Sequence, residues 1–295
     1  METALAGLAV EEDWTPPTVR VHITSSQVLS ALAKSAQVEL ACDSPVLYHP
    51  REREIWRWDC CLRAWLEPMT LTTNIIVDKD SAWCFPSPST LFVSGCRVPL
   101  SPCAYQIDTI EGKVTTLANM RTARGNHALV AHRGEVIAFG GYWVKSFLSC
   151  ECYSEDSWSL LPNMNEARSH FSPCRLEDRV FLCGGSAAAH IEVFDWVEKS
   201  FRQLPQIIPP NWWTSAFVCG EFIIVLSTFQ YYKWRIDSEE LFESSPTKRM
   251  SSGWSSCPVQ HYQDRVFILS SVYNTIVEVK VPEVKYITNY GFMDC

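Results

Sequence analysis

The chain has 295 residues, of which 47% are hydrophobic and 20% charged, with a formal net charge of −8. That acidic balance argues against the basic face on which nucleic-acid binding depends, and the one notable basic pair, Lys248-Arg249, is too small to supply it. The longest apolar candidate for a membrane span, residues 216–229, is interrupted by Glu221 and falls short of the ~18 residues a spanning helix needs, so no membrane insertion is expected.

The first 17 residues carry Glu2, Glu11, Glu12 and Asp13 and end on Pro16-Pro17. They read as an acidic tail and not as a secretory signal, which would open on basic residues. Residues 18–23 alternate like a strand and could close a sheet formed elsewhere. Residues 26–37, with Val28, Leu29 and Leu32 at helical spacing, read as a linker. This divides the chain into a tail of 1–37 and one large domain of 38–295.

Within that domain a short β-like pattern recurs six times. It reads EIWRWD at 54–59, CAYQID at 103–108, CECYSE at 150–155, HIEVFD at 190–195, YKWRID at 232–237 and NTIVEV at 274–279. The terminal positions 59, 108, 155, 195, 237 and 279 lie 40 to 49 residues apart, a period that signals a repeat architecture. Two units are complete. The first runs from Met120 through Arg124, an apolar strand, the polar turn at 132–135, a second strand ending in Gly140-Gly141, the CECYS strand, Trp158 and Pro162. The second runs from Met164 through Arg168, the turn at 177–179, Gly184-Gly185, IEVFD, Phe201 and Pro205. Each unit predicts four short strands joined by tight polar turns, with the glycine pair turning the backbone at positive φ. Elsewhere the pair decays to Ser94-Gly95, Leu226-Ser227 and Ser270-Ser271. Residues 38–41 and 45–48 are expected as the first two strands of the first unit, and 284–288 as the end of the last.

This combination of glycine doublet, Glu-x-Tyr strand and spaced tryptophan resembles the Kelch repeat. The resemblance covers residues 38–288 as a period and is strongest over 120–205. It implies an all-β, six-bladed β-propeller of four-stranded antiparallel blades, in which radial repetition leaves only short, protected sheet edges. A WD40 reading fits less well, because one Trp58-Asp59 dipeptide occurs without its Gly-His partner.

The loops that lead into the first strand of each blade hold the candidate binding residues. Aligned on the doublet, they run 124–127, 168–171, 211–214 and 253–256, and they converge at one end of the ring. Kelch proteins that bind peptides use basic and small polar residues in such loops. Carried over by position, the resemblance nominates Arg124, Asn126, His127, Arg168 and His170, with arginine suited to bidentate capture of a carboxylate. The alternative role for the arginines is to brace the loops against neighbouring blades. Trp212, Trp213, Trp254 and Ser255 replace the arginines in two blades, and exposed tryptophan is costly unless it is buried or binds.

No catalytic set is expected. The sequence lacks a phosphate-binding glycine loop and a complete Gly-x-Ser-x-Gly elbow, and its seven histidines are scattered. Thirteen cysteines include no Cys-x-x-Cys pair, so no metal and no cofactor is expected; reduced thiols in a cytosolic or nuclear protein are expected, with the cytoplasm as the location and structural disulfides as the alternative. Cys150 and Cys152 share one strand face, where thiols act as small hydrophobes. The expected function is a non-catalytic protein-interaction scaffold that docks a partner segment on the propeller mouth, as a subunit of a larger or cytoskeletal assembly or as a substrate-recognition module of a ubiquitin ligase. Kelch domains often follow a BTB or F-box segment, and the residues before 38 leave no room for a BTB domain. The competing expectation is an enzyme acting on a sugar or small acid in the channel.

Overall fold

The computed structural model describes residues 46–49, 53–59, 64–207, 214–227, 230–246, 259–262, 265–270, 275–280 and 285–291. Strands β1 (Val46–His49), β2 (Glu54–Asp59), β3 (Ala64–Trp65) and β4 (Met69–Thr70) make blade I. Blade II holds β5 (Ala82–Ser87), β6 (Thr90–Arg97), β7 (Leu100–Asp108) and β8 (Val114–Thr116). Blade III holds β9 (Ala128–His132), β10 (Glu135–Phe139), β11 (Cys150–Ser154) and β12 (Ser157–Leu161). Blade IV holds β13 (Ser172–Leu176), β14 (Arg179–Cys183), β15 (His190–Asp195) and β16 (Ser200–Ile207). Blade V holds β17 (Thr214–Cys219), β18 (Phe222–Ser227), β19 (Gln230–Arg235) and β20 (Glu240–Pro246). Blade VI holds β21 (Gln260–Tyr262), β22 (Arg265–Ser270), β23 (Thr275–Lys280) and β24 (Lys285–Gly291).

Blades II to VI are simple four-stranded antiparallel meanders. Blade I departs from them. Its β1 pairs with β2, while β3 and β4 lie end to end along the other edge of β2, Trp65 opposite Trp58 and Met69 opposite Ile55. They are two halves of one outer strand, interrupted at 66–68. The structure therefore shows five regular blades where the period led us to expect six. The innermost strand expected at 38–41 lies outside the described residues, as do the tail and the proposed closing strand at 18–23.

Local sequence explains the hairpins. In blade III, His132 pairs with Glu135 across Arg133-Gly134, and both turn residues take positive φ, 52° and 79°. That is the backbone of a two-residue turn whose twist matches the flanking strands. The Glu155-Asp156 turn takes the same form, with φ of 50° and 57°.

Apolar alternation then buries blade faces against their neighbours from blade I to blade V. Four apolar clusters lie between successive blades from I to V. Blades II and III share Phe92, Leu129, Ala138 and Trp158; blades III and IV share Phe139, Cys152, Phe171 and Trp196; blades IV and V share Cys183, Val193, Val225 and Trp234. Trp158 and Phe201 fill the aromatic slot of the fourth strand, Trp158 at 6.1 Å from Phe92 of the preceding blade and Phe201 at 4.9 Å from Phe194 of its own. Cys150 and Cys152 do lie in one cluster as small hydrophobes, and burial pushes the Cys152 thiol up to about 11. All eight described cysteines are free.

The first strands β5, β9, β13 and β17 lie beside one another and line the axis. The ring is joined across its ends by Phe267 of blade VI, fully buried against Trp58 and Trp65 of blade I at 5.2 and 5.3 Å. Truncating a buried phenylalanine costs ~3–5 kcal/mol. Phe267→Ala is expected to lower the denaturant midpoint by that equivalent, read by Trp fluorescence; a loss under about 1 kcal/mol would show that blade VI does not close on blade I.

Candidate functional site: the loop end of the ring

In blades II, III and IV the lead-in loop and the connection between the second and third strands emerge at the same end of the ring. In blade III, Arg124 stands four residues before β9 and its side chain is fully buried. Its Nη1 donates to the carbonyls of Gly140 (2.6 Å) and Ser149 (2.9 Å), and its Nη2 to Glu151 Oε1 (2.6 Å). The Glu151 carboxylate also accepts from the backbone N–H groups of Arg121 (2.6 Å) and Thr122 (2.9 Å). Blade IV repeats the arrangement. Arg168 donates to Gly184 O (2.9 Å), to His190 O and to Glu192 Oε1 (3.1 Å), while Glu192 accepts from the backbone of Asn165 (2.7 Å) and Glu166 (3.0 Å). All four charged side chains are at 0% exposure.

Both guanidinium groups are buried among partners of their own blade, while the Arg168 backbone also bonds to the 140–149 loop of blade III and so braces its loop against that neighbour. Each guanidinium ties together the lead-in loop, the second strand and the third strand of its own blade. The glycine doublet belongs to the same device. A Cβ at Gly140 (φ +60°) would stand 2.5 Å from Arg168 O, so only glycine lets the next blade's loop pass this close. Gly95 is the equivalent residue of blade II, since its absent Cβ would meet Arg124 O at 2.1 Å. The degraded doublet is thus aligned on Gly95, and Ser94 takes the place of Phe139.

The neighbouring candidates are also turned inward. Asn126 (3% exposed) and His170 (8%) occupy equivalent positions at positive φ, 52° and 56°. They hook successive blades together: Asn126 N donates to Asp80 O (2.7 Å), and His170 N donates to Asn126 O (3.1 Å). His127 is fully buried, with Nε2 at 2.9 Å from Ser94 Oγ, and burial together with Arg124 holds its pKa well below the usual histidine range. Burial, then Arg97 and Lys79, push His170 down to about 4. Trp212, Trp213, Trp254 and Ser255 lie outside the described residues. In chain position Trp212 and Trp213 precede Thr214 as His170 and Phe171 precede Ser172, one residue off the sequence alignment.

The most exposed apolar side chains described at this end stand on the connections between second and third strands. The 140–149 loop is anchored at its base, Gly141 N to Arg168 O (2.8 Å), Phe147 N to Gly141 O (2.8 Å) and Arg168 N to Phe147 O (3.0 Å). Its crown exposes Trp143 at 58% and Val144 at 76%, and the β6–β7 turn exposes Val98 at 76%. Arg97 stacks over the Tyr142 ring at 5.3 Å, and Tyr142 lies 6.3 Å from His170, so one ladder runs across blades II, III and IV. Beside it, the hydroxyls of Ser146, Ser169 and Ser186 from three loops meet at 2.7 to 3.1 Å. Sequence reasoning missed this surface, although its signal was present: Tyr142, Trp143, Val144, Phe147 and Leu148 make an apolar loop where blade IV has Ser186-Ala187-Ala188-Ala189.

Two outcomes follow. Arg124→Met leaves Glu151 buried without its cation and is expected to destabilise by ~3–5 kcal/mol, with Arg124→Met/Glu151→Leu recovering part of the loss, both read by urea unfolding. The depressed pKa values of His127 and His170 mean that the unfolded chain binds more protons. Stability is therefore expected to fall as pH drops below the ordinary histidine value of 6.5 toward about 4. Ser94→Ala/His127→Phe should flatten that dependence between about pH 6.5 and 5; an unchanged slope would contradict a buried neutral His127.

The comparisons agree with this architecture. Residues 123–165 match the Kelch motif, which is blade III with its arginine, doublet and tryptophan. An F-box/kelch-repeat protein of Arabidopsis thaliana is 26% identical over 150 residues, 47% of this chain and 38% of that relative. The chain thus spans well under half the length of the relative it matches. Motif, relative and blades together support membership of the Kelch-repeat family, with the fold of a Kelch-type β-propeller.

Proposed function

We propose that this chain is a protein-interaction module that docks a segment or loop of a partner protein on the loop end of the ring. The observation that carries this reading is the exposure of Trp143, Val144 and Val98 on loops whose bases are fixed by buried hydrogen bonds. Apolar surface held out by a rigid scaffold favours association, and tryptophan with arginine supplies the usual anchors. The side chains nominated from the lead-in loops enter as supports of this surface: Arg124, Asn126, His127, Arg168 and His170 hold the loops from beneath. A role as the recognition module of a ubiquitin ligase is supported by the name of the F-box/kelch-repeat relative, and it competes with a role as one subunit of a larger assembly.

An enzyme in the channel has less support. The Ser94–His127 pair is wholly buried, away from any substrate. Among the described residues no group of three or more His, Cys, Asp or Glu is placed to hold a metal. No described helix is long and apolar enough to cross a membrane. The eight free thiols fit a reducing compartment such as the cytoplasm.

Trp143→Ala/Val144→Ser should preserve the thermal midpoint and reduce recovery of cross-linked partners at least roughly tenfold, whereas Val197→Ser, exposed in the turn at the opposite end, should leave it unchanged. Partners retained by the first variant would place docking elsewhere.

A further inference from the structure

We propose that the segment taken by the loop end is acidic, with carboxylates flanking an apolar anchor. The inference rests on the docking reading above and adds the partner's chemistry.

The chain as a whole is acidic, at −8, yet the charge is inverted on the part of this end that the loops of blades II and III build. Residues 71–81, 97–100, 117–127 and 140–149 expose Lys79, Arg97, Arg121 and Lys145. Their only acids are Asp78 and Asp80, and both are engaged inward. Asp78 Oδ2 accepts from the backbone of Arg97 (3.2 Å) and Val98 (3.0 Å), and its Oδ1 accepts from Asp80 N (2.8 Å). The Asp80 side chain is 12% exposed and stands 3.9 Å from Arg97 Nη1. Asp78 thus shapes the turn that presents Arg97 and Val98 and leaves the outward face to cations.

Two of those cations flank the apolar crown. Lys145 follows Trp143-Val144 directly, and Arg97 precedes Val98 while lying over Tyr142. The Arg97 side chain keeps 44% of its surface in solvent. Stacking on the ring fixes the guanidinium plane, which lowers the ordering cost of gripping a carboxylate. His170 lies within reach of the same charges: burial first, then Arg97 and Lys79, lower its pKa. Cations flanking an apolar centre match a segment with the reverse pattern, acids flanking an aromatic or aliphatic residue.

The test is selection of a displayed random-peptide library on the intact folded chain, followed by fluorescence anisotropy of the selected peptides. Enrichment of Asp and Glu beside Trp, Phe, Leu or Ile is expected. Lys79→Glu/Lys145→Glu should weaken binding at least roughly tenfold, and raising salt to about 0.5 M should weaken it several-fold. Unchanged thermal midpoints keep either effect from being a folding defect. Selected peptides that are neutral or basic would overturn the proposal. So would binding lost in Trp143→Ala/Val144→Ser but kept in the charge reversal, an outcome that leaves the docking reading standing. Peptides that bind both variants equally, or a library that yields none, would overturn both readings. A dimer of the chain that dissociates on Trp143→Ala would assign the surface to a second copy instead.

Discussion

The structure depends on a buried ion pair repeated within its two best-formed blades. Arg124–Glu151 and Arg168–Glu192 sit at zero exposure, where an isolated charge would be prohibitive. They are tolerated because the polar groups around them are convergent. Each guanidinium reaches two backbone carbonyls besides its carboxylate, and each carboxylate takes two backbone N–H groups from the start of the loop that carries the arginine. Charge-assisted bonds of this kind are about twice as strong as neutral ones. Hydrophobic residues of equal volume could fill the space, but they would not fix three backbone segments in one geometry.

That geometry sets the loop end. The arginine orients the glycine carbonyl; the glycine lets the next blade's loop pass at close range; that loop then hooks its predecessor through Asn126 and His170. The result is a chain of restraints around the mouth, with the 140–149 crown standing on it. Binding benefits because little conformational entropy remains to be lost when a partner arrives. The rigid frame is the part with buried hydrogen bonds, and the crown at Trp143–Lys145 is the part without them.

Much of this was legible in the sequence. The period, the strands of blades III and IV, the tight turns and the interblade aromatic slot all follow from local pattern. The arginine and the glutamate were visible too, as separate marks some 25 residues apart. Their partnership was not, because it needs the register of the second strand against the third, and the depth at which a loop lies is set by the neighbouring blade. The same cause misaligned the blade II doublet, since the steric need at Gly95 comes from Arg124 O, a residue of the next unit. In blade I the strands at 46–49 and 54–59 and the outer position of Trp65 were legible, but the break at 66–68 was not, because it leaves no mark in a pattern that records only residue type. The apolar loop at 142–148 was readable as an anomaly, though its exposure was not.

Native-state amide hydrogen exchange, resolved by residue, tests the central claim most directly. The N–H groups of Arg121, Thr122, Asn165 and Glu166 lie in loops, yet each donates to a buried carboxylate. We expect them to exchange only with global unfolding, as the strand amides do, while Val144 exchanges rapidly on the crown. Loop-like rapid exchange at those four amides would mean that the arginine–glutamate pairs do not hold this end of the ring.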